Sequence, residues 1–153
     1  MRVYDKFYIN GEWVDPVTPK SLDVINPATE GVCATISIGS AEDVDKAARA
    51  ARAAFRTFGR TTREERIELL AAIVEVYQKR YNDIADAISE EMGAPTKLSV
   101  EAQAATGMGH LATALEILKT FEFEEVAGNS KIFKEPIGVV GMITPWNWPI
   151  NQI

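Results

Sequence analysis

The residues of this chain best suited to do chemistry stand near its C-terminal end, in Thr144-Pro145-Trp146-Asn147-Trp148-Pro149. Asn147 carries a neutral amide NH2. Pro145 and Pro149 fix the backbone on either side of it. A rigidly held neutral donor is what an oxyanion hole requires, because it stabilises a developing alkoxide without reorganising during the reaction. Trp146 and Trp148 would form large apolar walls around it. The segment follows directly on Val139-Val140-Gly141-Met142-Ile143-Thr144. A continuous apolar run of that kind suits a strand buried on both faces. Ligands of open α/β sheets bind just past the carboxyl ends of such strands. A plainer reading competes, in which a proline-bounded loop packs its tryptophans into a core. The residues alone leave both readings open.

The elements that must position this segment fall into four stretches. Up to about Ser40 the chain reads as hairpins. Asn10-Gly11 sits between Phe7-Tyr8-Ile9 and Trp13-Val14, a strong two-residue turn signal. Leu22-Asp23-Val24-Ile25 and Val32-Cys33-Ala34-Thr35-Ile36 flank the turn residues Asn26 to Gly31 and form a second hairpin. From Ala41 to Leu118 the spacing is helical. Ser40 with Asp43 resembles a capping box and opens a first helix, whose apolar face is Val44, Ala47, Ala48, Ala51, Phe55 and Phe58. Thr62 with Glu65 opens a longer helix that runs to Gly93 and Pro95. Its stripe is Ile67, Leu70, Val74, Tyr77, Tyr81, Ile84 and Ile88. A third helix covers Ser99 to Leu118, with small residues on the face Ala102, Ala105, Gly109, Ala112 and Leu115. Phe121 to Lys134 is strand-like, with Gly128-Asn129 as a further hairpin signal. The last stretch, from Pro136, is the apolar run and the Pro-Trp-Asn-Trp-Pro segment. A parallel sheet needs several βα units, and one buried strand without partners is not a finished design. The sequence thus reads as a fold interrupted at its start.

Several chemistries are excluded by what the sequence lacks. One histidine, His110, and one cysteine, Cys33, cannot make an ordinary zinc site. No nucleotide-binding glycine motif follows a strand, and Gly107-Met108-Gly109 lies inside a helical pattern. His110 reads as a packing or surface histidine. Cys33 lies mid-strand with nothing nearby to lower its pKa, and reads as a small hydrophobe. The net charge of −6 speaks against nucleic acid and against an anionic membrane surface. No apolar run is long enough to span a bilayer, and the N-terminus carries no signal-peptide pattern. The composition, 46% hydrophobic and 25% charged, fits a globular cytoplasmic protein of ordinary domain size.

Pro136 to Pro149 resembles the signature of the aldehyde dehydrogenase superfamily. Phe7 to Val14 is similar to that family's opening hairpin, Ile25-Asn26-Pro27-Ala28-Thr29 to its Asn-Pro-Ala-Thr turn, and Phe55 to Arg66 with Glu91 to Pro95 to its paired helices. The likeness runs in order along the whole chain. It implies an α/β fold, the N-terminal part of the aldehyde dehydrogenase fold: β-hairpins, three long helices, bridging strands and the first strand of a Rossmann-like sheet. Residues 1–121 then belong to the cofactor-binding domain, 122–135 to the bridging strands that make dimers or tetramers, and 136–153 to the first central strand.

The resemblance further implies NAD or NADP as cofactor and a small aldehyde as substrate, oxidised to a carboxylic acid through a cysteine thiohemiacetal. Asn147 takes the oxyanion role. Ile143, Thr144, Pro145 and Trp146 match the positions on the nicotinamide side. Trp148 lines the aldehyde tunnel, as do residues between Thr106 and Thr113. Val24, Ile25 and Glu91 match a monovalent-cation position, and no other metal is implied. The family's nucleophilic cysteine, its general-base glutamate and its adenosine-binding groups lie downstream of these motifs, so the chain is expected to be a shortened product without activity of its own. Two alternatives stand beside this reading. One is a non-enzymatic helical and hairpin module that oligomerises through 122–135. The other is a hydrolase that pairs Cys33 with Asn147.

Overall fold

The computed structural model describes residues 1–152. Local signals decide most of the strands. β2 (Phe7–Ile9) and β3 (Glu12–Val14) pair antiparallel around Asn10 and Gly11, both at positive φ (55° and 81°), the geometry of a type I′ turn. β4 (Ser21–Ile25) and β5 (Val32–Ser37) form the second expected hairpin, with a register shift between Val24 and Ile25. Asn26 Oδ1 accepts from the Ala28 N–H at 2.8 Å, so the turn is closed by its own side chain. β6 (Glu124–Ala127) and β7 (Ser130–Phe133) pair around Gly128, at φ 60°. One strand carries no sequence signal: β1 (Arg2–Tyr4) lies parallel to β5, and the sheet order is β1-β5-β4.

Both capping boxes form. Ser40 and Asp43 open α1 (Ala41–Phe58), and Thr62 and Glu65 open α2 (Arg63–Lys79). The apolar face read for α1 is largely uncovered: Val44 is 66% exposed, and Phe55 alone of its aromatics is half-buried. What α1 buries is Asp43, whose carboxylate accepts from the N–H groups of Ser40 and Val17, each at 2.9 Å. The long helix expected from Thr62 to Gly93 is two helices. Arg80 leaves helical geometry (φ −107°, ψ 14°), and α3 (Tyr81–Met92) starts anew. Position 80 is neither glycine nor proline, so sequence gives no warning of the break. The bend lets Tyr77 and Tyr81, on either side of it, donate to the carbonyls of Ala104 and Val100. Gly93 ends α3 in the left-handed region (φ 72°) and abuts Pro27 of the β4–β5 turn. Arg2 pairs with Glu90 and Glu91, which ties β1 to the same helix.

The third expected helix begins with a single turn, α4 (Thr96–Leu98), passes through a π-turn (Ser99–Gln103) and continues as α5 (Ala104–Thr120). Its buried residues are Ser99, Gln103, Ala104 and Gly107, rather than the stripe through Ala105, Gly109 and Ala112. Gly109 faces open space. The π-turn, closed by the Ala104 N–H on the Ser99 carbonyl, adds a residue to one turn and rotates the packed face. The core is small, with Ala34, Tyr77, Ala85, Ile88 and Ala104 at its centre.

The run Val139–Thr144, expected as a central strand, makes no strand pairing among the described residues. A strand exists by its ladder, and no neighbouring strand lies alongside to complete one. The chain from Pro136 instead runs irregularly to a 3₁₀ turn, Pro149–Gln152.

Candidate active site

Asn147 sits just before that 3₁₀ turn, where the exposed run 139–146 meets the face of α5. Three contacts hold the segment there. Gln103, in the π-turn, donates from Nε2 to the Asn147 carbonyl at 3.2 Å. Ile150 lies against Gly107, where an added Cβ would come within 2.0 Å of Ile150 Cγ2. His110 Nε2 stands 2.7 Å from Asn151 Oδ1, the ring N–H donating to the amide oxygen. Positions 103, 107 and 110 follow one another at spacings of four and three, so they lie on one helical face. The Asn151 N–H also closes on the Trp148 carbonyl at 3.1 Å. The backbone from the Asn147 carbonyl onward is therefore fixed from the π-turn and α5.

The Asn147 side chain is exposed and makes no hydrogen bond among the described residues. Ile143, Thr144, Pro145 and Trp146 are exposed as well, Ile143 wholly and Trp146 by 77%. Trp148 is half-buried. Ile143 to Asn147 thus form one exposed strip, which runs onto the half-buried Trp148 and the fixed turn after it. Of the helix positions expected near the substrate path, Thr106 is half-buried and spends its hydroxyl on the Ala102 carbonyl at 2.8 Å.

Beside the segment is a cavity of about 450 Å³ lined by Val24, Ile88, Glu91, Met92, Trp146 and Ile150, among others. Val24 and Glu91, two of the three cation candidates, thus share one space, and Ile25 is not on its wall. Glu91 is already partnered by the Arg2 guanidinium at 3.5 Å. The Val24 carbonyl accepts from the Cys33 thiol at 3.3 Å. No group of three His, Cys, Asp or Glu stands ready for a metal among the described residues. Cys33 is half-buried in β5, where its sulfur serves that backbone contact. A larger hollow of about 910 Å³ between β1 and α2–α3, lined by Arg2, Ile73, Val76 and Arg80 among others, lies away from Asn147 and brings no catalytic set together.

Gln103, Gly107 and Tyr77 were not singled out from sequence as holders of this site. The Tyr77 hydroxyl, buried beneath Gly107, donates to the Ala104 carbonyl at 2.8 Å and locks the start of α5 to α2. Burial pushes its pKa up, with the nearby Tyr81 adding to the shift. The signal available was the spacing Gln103, Gly107, His110, which marks one face of a helix but not what lies on it.

The profile of the Aldehyde dehydrogenase family matches residues 13–153. The chain belongs to the aldehyde dehydrogenase family. It is 49% identical over its whole length to a 3-succinoylsemialdehyde-pyridine dehydrogenase of a Pseudomonas species, of which it covers 32%. It is 47% identical, over 99% of its length, to a putative aldehyde dehydrogenase of Staphylococcus epidermidis, again covering 32%. Among solved structures, 99% of the chain superposes on 33% of an aldehyde dehydrogenase from Bartonella henselae, with a TM-score of 0.95 and 49% identity. A Pseudomonas syringae aldehyde dehydrogenase C variant, solved with NAD+ and octanal, matches 97% of this chain with 30% of its own, at a TM-score of 0.94 and 44% identity. The chain thus spans about a third of the length of the relatives it matches. The family resemblance read from its motifs and the expected N-terminal part of that fold are both borne out.

Proposed function

We propose that this chain forms the first part of an NAD(P)-dependent aldehyde dehydrogenase, in which it supplies the oxyanion donor and one wall of the nicotinamide site. The observation that carries the reading is Asn147. Its carbonyl is held by Gln103, its neighbours on the C-terminal side are pinned to α5, and its amide is exposed and without a hydrogen bond among the described residues. An exposed NH2 on a fixed backbone is ready to donate to a carbonyl oxygen as it gains charge. Such a contact strengthens as the oxygen becomes an alkoxide, so it favours the transition state over the bound aldehyde.

Ile143, Thr144, Pro145 and Trp146 fit one face of a nicotinamide ring, being a mainly apolar and exposed strip. Bound there, the cofactor would accept the hydride that leaves the aldehyde carbon. The strip carries no cation for the diphosphate, so other parts of the protein must hold the adenosine half. Trp148, half-buried beside Asn147, would wall the aldehyde path and exclude water from it. The relatives' own ligands and names, octanal with NAD+ in one and a semialdehyde in another, support a small aldehyde as substrate and a carboxylic acid as product. The attacking cysteine would come from sequence outside this chain, since Cys33 is committed to β5. On this reading the chain alone is inactive. The two-stranded hairpin β6–β7, with Val126 and Phe133 exposed, would serve homo-oligomer assembly. No helix among the described residues is long and apolar enough to cross a membrane, and a cytoplasmic enzyme fits the free thiol of Cys33.

The test is to follow NADH or NADPH formation from an aldehyde with the full-length protein and, separately, with this chain. Turnover by the former alone is expected. Turnover by the purified chain, its mass verified, would refute the assignment of the nucleophile to another segment. No turnover by either would favour the alternative, a hairpin-mediated assembly module.

A further inference from the structure

Gln103 is the buried polar residue that the hydrogen-bonding of its neighbours does not fully explain. It is 3% exposed, and its Nε2 donates to the Asn147 carbonyl at 3.2 Å. Its Oε1 is buried with no partner among the described residues. Turning the amide over would not help, because the oxygen would then face the Asn147 carbonyl, acceptor against acceptor. The NH2 must therefore point at Asn147, and the orphaned oxygen is the consequence. A buried acceptor without a donor destabilises the fold, and native proteins keep few of them. An apolar side chain of the same length would fill the space without that loss. It could not hold the carbonyl.

The backbone around Gln103 is unusual too. The π-turn Ser99–Gln103 sends two successive buried side chains in different directions: Ser99 accepts from the Ser89 hydroxyl of α3 at 2.8 Å, and Gln103 reaches Asn147. Insertions of this kind into helices often lie at functional sites. The contacts from Gly107 and His110 secure the residues after Asn147, and among the described residues only Gln103 holds the peptide of Asn147 itself.

We propose that Gln103 is the positioning residue for the Asn147 donor: by fixing the Asn147 carbonyl it sets the direction of the amide. The inference rests on the reading of Asn147 as the oxyanion donor. It deepens that reading by naming the group through which the donor is aimed.

The experiment is a double-mutant cycle in the full-length enzyme. Gln103→Met removes the carbonyl anchor and the orphaned acceptor together, so its thermal midpoint should stay close to the parent's. Because a misplacement of about 1 Å near reacting atoms can cost roughly a hundredfold, kcat should fall about tenfold or more. KM for the aldehyde should change little, since the donor acts in the transition state. In an Asn147→Ala background the same substitution should alter kcat by less than about twofold, the mark of two residues acting as one. Gln103→Leu provides the same readings if methionine crowds the site. An equal loss in both backgrounds would overturn the proposal, as would an unchanged kcat for Gln103→Met where Asn147→Ala is impaired. An Asn147→Ala enzyme with normal kcat would instead remove the underlying assignment, and the inference would fall with it.

Discussion

Gly107 and Ile150 approach so closely that a Cβ at position 107 would lie 2.0 Å from Ile150 Cγ2 and 2.5 Å from the Tyr77 hydroxyl. No residue but glycine fits without moving one of them. Ile150 belongs to the turn that carries the segment after Asn147. Gly107→Ala is therefore expected to push that turn off α5 and to cost about 1–3 kcal/mol through overpacking. Denaturant midpoints of the two proteins would measure the loss, and equal midpoints would show that the approach is looser than described.

Tyr77 supports the same place from beneath. Removing its hydroxyl with Tyr77→Phe should cost about 1 kcal/mol, the ordinary net worth of one buried hydrogen bond. Its raised pKa also sets a pH dependence. The folded state holds the phenolic proton more tightly than the unfolded chain, whose tyrosine titrates near 10.0. This contribution is complete below that pH and is lost as pH climbs through the higher folded value. Alkaline melting curves should thus show a component in the parent that Tyr77→Phe lacks, and superimposable slopes would count against it.

Asp43 acts in the opposite direction. The N–H groups of Ser40 and Val17 and the Ser40 hydroxyl all donate to its carboxylate and hold its pKa below the usual 3.8. Its contribution is complete above that value and disappears as pH falls through the lowered one. Asp43→Asn should be the less stable protein at pH 7, with the gap closing in acid. Stability measured from pH 7 down to about 2 would decide. A gap that stays constant over that range would contradict the assignment.

How much of this was readable in advance follows from the range of the interactions. Asn10-Gly11, Gly128 and both capping boxes are local signals, decided within a few residues, and each formed where the sequence placed it. The break at Arg80 and the rotation of the α5 face depend on what Tyr77, Tyr81 and Gln103 reach across the fold, which no window of sequence contains. The run at Val139–Thr144 has strand composition, but composition supplies no neighbour to pair with. The prolines on either side of Asn147 marked it as a candidate donor, one of two readings that the residues left open, and the family resemblance chose between them. Its anchor at Gln103, 44 residues away, was not legible.

In the proposed function, the Asn147 amide stabilises the oxyanion of an aldehyde oxidation. The most direct measurement is kcat for Asn147→Ala in the full-length enzyme, with folding verified by its thermal midpoint. A fall of about a hundredfold or more is expected, near 3 kcal/mol of transition-state stabilisation, as for other oxyanion donors. A folded Asn147→Ala enzyme that turns over at the parent's rate would contradict that role.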